Sequence, residues 1–231
     1  MALVAWGCTG CGAEGLSSPR TGVVIVNTGT ATGTGIVLSR SGLVLTNHHV
    51  IGGARAIQIE DPSGPTFSAR VLGFSVSKDI ALLQIRNPRG LHPARLGNSS
   101  TARIGQSVTV VGNAGGTDSL TVMTGRVTGL RRTIRVSGDA GEGISRLVGL
   151  IETSAPILAG DSGGPLLAGG RVIGVDVASS ALSGYGENDG YAIPINTAIS
   201  TVRQIESGRP SSTVHVGAMP DDFTRRDAVA G

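Results

Sequence analysis

Gly33-Thr34-Gly35-Ile36-Val37-Leu38-Ser39-Arg40-Ser41-Gly42-Leu43-Val44-Leu45-Thr46 holds two short apolar runs separated by small and polar residues. Runs of this length, joined by a glycine-bearing turn, signal a β-hairpin rather than a helix. The pattern extends both ways along the chain. Residues 22–26 read as a first strand, and 56–60, 67–74 and 80–85 as three more, with Pro62-Ser63-Gly64-Pro65 turning the chain between 56–60 and 67–74. After Leu96-Gly97-Asn98-Ser99-Ser100 a second set of strands begins at 107–112. It continues through 120–128, 133–136, 147–153, 165–167, 172–177 and 191–194. Only Asn196 to Ser207 has helical spacing, with Ile199, Val202 and Ile205 on one face and Gly208-Arg209-Pro210 as the stop. Many short strands with frequent turn signals mean an all-β sandwich or barrel.

The 231 residues are enough to bury roughly 70% of the unfolded chain's surface, so a core needs neither metal nor disulfide. The formal charge is +3, and the basic residues are scattered apart from Arg131, Arg132 and Arg135. That argues against nucleic acid as a partner. Lys78 is the only lysine, which fits a coding bias toward arginine better than a binding device. Cys8 and Cys11 both precede the first strand, so they cannot staple the core. Residues 1–20 read as a leader or disordered N-terminus. Met1 to Cys8 resembles the end of a secretory signal, although the apolar run is shorter than a full signal core and lacks a basic start. No apolar run is long enough for a transmembrane segment. Beyond Pro210 the chain is polar and aperiodic, so 211–231 reads as a flexible tail.

Chemistry concentrates in three places. Gly160-Asp161-Ser162-Gly163-Gly164-Pro165 surrounds a serine with glycines, which permit a tight backbone and close approach of a substrate chain. Leu45-Thr46-Asn47-His48-His49-Val50 delivers imidazoles at the end of an apolar strand, and Lys78-Asp79-Ile80-Ala81-Leu82-Leu83 sets a carboxylate before another. Each alone has an ordinary explanation: a glycine-rich turn, a solvated histidine, a turn aspartate. Together, in the order His, Asp, Ser, they match the chain order of a chymotrypsin-type triad.

On these residues the chain resembles the protease domain of the HtrA (DegP/DegQ-like) branch of trypsin-like serine proteases. The likeness also runs through Leu96-Gly97-Asn98-Ser99, Ile104-Gly105-Gln106-Ser107-Val108, Gly112-Asn113, Ile151-Glu152-Thr153-Ser154 and Val172-Ile173-Gly174-Val175. It implies two six-stranded antiparallel β-barrels of the chymotrypsin/trypsin-like kind with a short C-terminal helix. The first barrel, 21–105, would carry His49 and Asp79, and the second, 106–210, Ser162 and the helix. The resemblance further implies a serine endopeptidase with His49, Asp79 and Ser162 as triad and an acyl-enzyme intermediate. The backbone N–H groups of Gly160 and Ser162 would form the oxyanion hole, and Pro156, Ile157 and Val177 a substrate pocket suited to aliphatic side chains. Polypeptides would be the substrates, no cofactor or metal would be needed, and the location would be extracytoplasmic. The base is assigned to His49 because the family pattern puts it before a valine, here Val50.

Two departures stand out. Relatives commonly carry a peptide-binding PDZ domain, and the stretch after Pro210 is too short for one. Asp161 stands where that branch usually has asparagine, which calls for a partner to its charge. A catalytically idle protease-fold binding protein and an esterase using the same triad are the alternative readings.

Overall fold

β1 (Val23–Asn27), β2 (Thr32–Val37) and β3 (Leu43–Thr46) are the first strands of the protein in the computed structural model, which describes residues 18–62, 64–136, 145–177 and 190–217. A four-residue helix α1 (His48–Ile51) follows, then β4 (Ile57–Glu60), β5 (Thr66–Ser75) and β6 (Ile80–Ile85). The second set comprises β7 (Ser107–Gly112), β8 (Thr121–Val136), β9 (Ser145–Thr153), β10 (Pro165–Ala168), β11 (Arg171–Val177) and β12 (Gly190–Pro194). Helix α2 (Ile195–Glu206) and a two-residue strand β13 (His215–Val216) complete the described chain. Cys8, Cys11, most of the expected leader and the tail from 218 lie outside the described residues.

The first six strands pair in the order β5-β4-β1-β2-β3-β6, and β6 returns to pair with β5, so they form an antiparallel ring. The second six close as β10-β11-β12-β9-β8-β7. Two six-stranded antiparallel barrels with a short helix after them is the architecture the resemblance implied.

Side-chain alternation explains why the first-barrel strands are apolar on both faces. Val24 and Val26 of β1, Val44 of β3, and Ala81, Leu83 and Ile85 of β6 point into the first barrel. Their neighbours Val23, Ile25, Leu45, Ile80 and Leu82 join a different cluster, with Val111, Leu150, Val175 and Ile193 of the second barrel and Val202 and Ile205 of α2. Successive strand residues face opposite sides, so one face fills the barrel and the other the seam between barrels. Each fully buried aliphatic side chain on either face contributes about 1.5–3 kcal/mol.

Three local features differ from the sequence expectation. The histidine pair lies on α1 rather than at a strand end, because Asn47 turns the chain in extended conformation and the helix starts immediately after it. The runs expected at 120–128 and 133–136 fall, from Thr121 on, in one strand, β8. Thr128-Gly129-Leu130-Arg131-Arg132 looks like a break, but it is absorbed by register shifts against β9 and by Arg131 at φ 55°. A bulge adds residues without ending the strand. Within the stretch read as tail, His215 and Val216 pair with Phe74 and Gly73 of β5, and Val214 is fully buried.

Turn chemistry closes the hairpins. Gly169 and Gly170, at φ 55° and 71°, form the two-residue connection of β10 to β11, a geometry requiring positive φ at both positions. On β8, Gly125 lies so close to the chain after β9 that a Cβ there would collide with the Ala155 backbone. Gly125→Ala should therefore destabilise the fold by about 1–3 kcal/mol, the usual cost of overpacking. A chemical denaturation midpoint equal to the parent's would show that this contact yields freely.

Candidate active site

Asp79 occupies the turn between β5 and β6, at a left-handed φ of 51° that aspartate tolerates better than most residues. Its N–H donates to the Val76 carbonyl at 3.0 Å. Asn47, fully buried just before α1, donates from Nδ2 to the Asp79 carbonyl at 2.9 Å. The carboxylate then takes two bonds from one residue: the His49 N–H reaches Oδ1 at 3.0 Å and His49 Nδ1 meets Oδ2 at 2.8 Å. As a carboxylate Asp79 only accepts, so the ring bond places the imidazole proton on Nδ1 and leaves Nε2 as acceptor. The Asp79 side chain is 11% exposed and that of His49 41%. The carboxylate is shielded while the imidazole reaches solvent.

His48 points elsewhere. Its ring stacks on Phe74, with centroids 4.7 Å apart. Consecutive helical residues diverge by about 100°, so α1 separates the two imidazoles as the expected strand end would have.

Ser162 is 5% exposed and lies in the connection from β9 to β10. The loop around it is fixed by its own amides. Asp161 N–H donates to the Leu158 carbonyl at 2.9 Å, Gly163 N–H to Asp176 at 2.9 Å and Gly164 N–H to Asp161 at 2.8 Å. Thr34 of β2 fastens the loop to the first barrel: its N–H donates to the Ser162 carbonyl at 2.8 Å and its Oγ1 to the Gly160 carbonyl at 2.7 Å. Gly163, at φ 85°, abuts the Thr34 carbonyl and Thr46 Oγ1 so tightly that a Cβ would collide with both. That Cβ would also lie 3.1 Å from the Asn47 amide. The Ser162 loop thus rests on the segment that leads into His49.

The other expected site residues are less concentrated. Ile157 is buried in the second barrel's core with Val110 and Leu166, Val177 belongs to the cluster at the seam, and Pro156 is exposed. Gly190 of β12 lies against Ile157. A cavity of about 560 Å³ lined by Arg70, Leu72, Arg86, Glu206 and Val216 is lined by none of the expected site residues. Among the described residues there is no cluster of three or more His, Cys, Asp or Glu able to hold a metal. No helix of the described residues is long and apolar enough to cross a membrane.

Thr34, Asn47, Asn113 and Asp176 went unremarked as individuals in the sequence. Thr34 Oγ1 also accepts the Asn113 N–H at 3.0 Å. A threonine between two glycines was the available signal for Thr34; the others have none that a single sequence displays. Asp161 and Asp176 are both fully buried. Asp161 Oδ2 accepts the Leu158 N–H at 2.8 Å, but its Oδ1 and both Asp176 oxygens have no hydrogen-bond partner among the described residues. Burial pushes the Asp161 carboxyl up, with the Leu158 N–H acting against it. Burial raises Asp176 well above the usual range, and the neighbouring Asp161 charge raises it further.

Residues 33–175 match the trypsin-like peptidase domain family. The chain is 39% identical over 175 residues to the chloroplastic Protease Do-like 1 of Arabidopsis thaliana, covering 75% of this chain and 39% of that protein. It is 37% identical over 175 residues to the periplasmic pH-dependent serine endoprotease DegQ of Escherichia coli, covering 75% of this chain and 37% of the relative. The chain therefore spans about two fifths of the length of these curated relatives. Among solved structures it superposes on the HtrA-type protease AlgW with tripeptide at a TM-score of 0.69 and 28% identity, over 82% of this chain and 62% of that one.

Raised carboxyl pKa values have a definite sign in stability. Asp161 and Asp176 bind protons more tightly folded than unfolded, so their contribution is full below the unfolded carboxylate range near ~4 and is lost as pH rises through the folded values. Asp176→Asn removes the charge while keeping the shape. It should raise the melting temperature at pH 8 by about 2–8 °C, the size of a change of ~1–2 kcal/mol. The gain should shrink toward zero as the pH approaches 4. Thermal unfolding at the two pH values decides it, and a gain independent of pH would contradict the assignment.

Proposed function

Since this chain belongs to the trypsin-like peptidase family, in its HtrA branch, we propose that it is a serine endopeptidase with Ser162 as nucleophile, His49 as general base and Asp79 as the orienting carboxylate. The observation that carries the reading is the double grip of Asp79 on His49, through ring and backbone at once. A carboxylate bound that way fixes both the tautomer and the direction of the imidazole, which is what a base for serine requires. Support also comes from the loop that holds Ser162 against Thr34 and Thr46.

In the proposed cycle Ser162 Oγ forms a bond to the substrate carbonyl carbon as its proton passes to His49 Nε2. The carbonyl oxygen becomes anionic, and the N–H groups of Gly160 and Ser162 stabilise it. The carbon–nitrogen bond then breaks as Nε2 returns the proton to the departing amine. Water, deprotonated by the same imidazole, attacks the acyl-enzyme ester, and the proton goes back to Ser162 as the acid leaves. The proton that leaves with the amine is replaced by one from the attacking water, so the triad ends the cycle in its starting protonation state.

Polypeptides are the proposed substrates. Pro156, Ile157 and Val177 place no carboxylate where a substrate cation could pair, and a buried unpaired cation would be costly. Preference for small or medium aliphatic side chains on the acyl side of the cut follows. The proposed location is extracytoplasmic, supported by relatives whose names include periplasmic and chloroplastic proteases.

Fluorophosphonate labelling beside peptide and ester turnover tests the reading. Parent protein should label and cleave peptides, while Ser162→Ala should do neither and keep the parent fold. Asp79→Asn should lower kcat by about 10⁴ through the wrong histidine tautomer, which is roughly 5.5 kcal/mol of barrier. An unlabelled parent would mean an idle binding protein, turnover of esters alone would mean an esterase, and a loss below tenfold in Asp79→Asn would reduce Asp79 to a turn residue.

A further inference from the structure

The His48 ring is part of a larger stack. Phe74, buried on β5, packs against His48 at 4.7 Å with 27° between planes and against His215 at 4.9 Å with 26°. One phenyl ring thus contacts an imidazole beside His49 and an imidazole of the C-terminal strand. His215 reaches it through strand pairing, standing opposite Phe74 in the β13–β5 register.

The two ends of the stack are held differently. On the C-terminal side, Gly217 N–H donates to the Leu72 carbonyl at 2.8 Å, and Val214 is fully buried in the cluster that includes α2. Gly73 lets β13 approach, since a Cβ there would collide with the His215 carbonyl and lie 2.7 Å from Ile205. On the other side is α1, only four residues long. A helix that short is not stable through its own hydrogen bonds, so its orientation is set by what touches it. Among those contacts are Val50 and Ile51 in the barrel core, Asp79 on His49, and Phe74 on His48.

We propose that the His48–Phe74–His215 stack is a positioning element for His49, through which the C-terminal strand sets the direction of α1 and hence the alignment of the base with Ser162. This rests on the endopeptidase reading. None of the three rings is assigned contact with the reacting atoms. Their effect is to remove one way in which α1 could roll, and small misalignments of a base are expensive: a displacement of 1 Å can cost about a hundredfold in rate.

The test compares the parent, His215→Ala and His215→Phe in kcat, KM, the pH profile of kcat and the melting temperature. His215→Ala should lower kcat about tenfold, inside the misplacement limit, leave KM within about twofold, and shift the pH midpoint of kcat. His215→Phe restores a ring and should recover most of the lost kcat. His48→Ala should resemble His215→Ala, and the double variant should fall no further than either, because both interrupt one stack. Parental kcat in His215→Ala, or a loss that follows the unfolded fraction and is not recovered by His215→Phe, would overturn the proposal. A readout independent of turnover uses the Ser162→Ala background, where the His49 ring resonances should shift or broaden when His215 becomes alanine. Unchanged resonances overturn the stack, whereas an inactive parent with responsive resonances overturns the endopeptidase reading and leaves the stack standing.

Discussion

The N–H of Thr34 donates to the Ser162 carbonyl at 2.8 Å, and the arrangement of the whole site depends on that bond. Thr34 belongs to the first barrel and Ser162 to the second, so the bond registers one against the other. The same residue uses Oγ1 to hold the Gly160 carbonyl and to accept the Asn113 N–H, and its carbonyl accepts Thr46 Oγ1 at 2.7 Å. Three segments distant in sequence are thereby fixed around one residue. Its flanking glycines fit the same geometry. A Cβ at Gly33 would press on Val50, beside His49, and one at Gly35 on Val44.

Such close packing leaves little room for solvent, and the site contains polar groups that burial penalises. Asp161 and Asp176 lie together beneath the Ser162 loop, and both amide atoms of buried Asn113 lack a hydrogen-bond partner among the described residues. Burial disfavours the charged form of a carboxyl, which is the physical reason both are shifted upward, Asp176 further because neither of its oxygens has a hydrogen-bond partner among the described residues. The Asp161 backbone meanwhile serves the loop, its N–H on Leu158 and its carbonyl under Gly164. Order in the backbone and electrostatic cost in the side chains coexist in one short segment, a common compromise at functional sites. Asp79 contrasts with this pair, because both its oxygens are taken up by His49.

Much of the fold was legible in the chain. The hairpin of 33–46, the second set of strands beginning at 107 and the helix near 196 were readable from runs of Val, Ile and Leu bounded by glycine-bearing turns. The helix occupies Ile195–Glu206, one residue earlier than its spacing suggested. The reading fell short where local signals and tertiary pairing disagreed. Gly129-Leu130-Arg131-Arg132 resembles a loop, yet β9 holds it in register through bulges. The histidines of Leu45-Thr46-Asn47-His48-His49-Val50 looked like the end of a strand because they follow the apolar run 43–46, but β3 and β6 run out of pairing at Thr46 and the chain coils instead. Val214 to Val216 looked like tail because a two-residue strand has no periodicity to detect.

Sequence by itself determined the class of fold, the order His, Asp, Ser, and the glycines that let the serine's loop bend, since each of these follows from local residue types or their succession. Only the tertiary structure decided that Asp79 holds His49 by ring and backbone at once, that Thr34 joins the barrels, that Asp161 and Asp176 are buried within reach of each other's charge, and that His215 reaches His48 through Phe74. Those relations are between residues far apart along the chain. They depend on strand register and on which face of each strand turns toward the seam, quantities that packing of the whole chain sets and that no single segment contains.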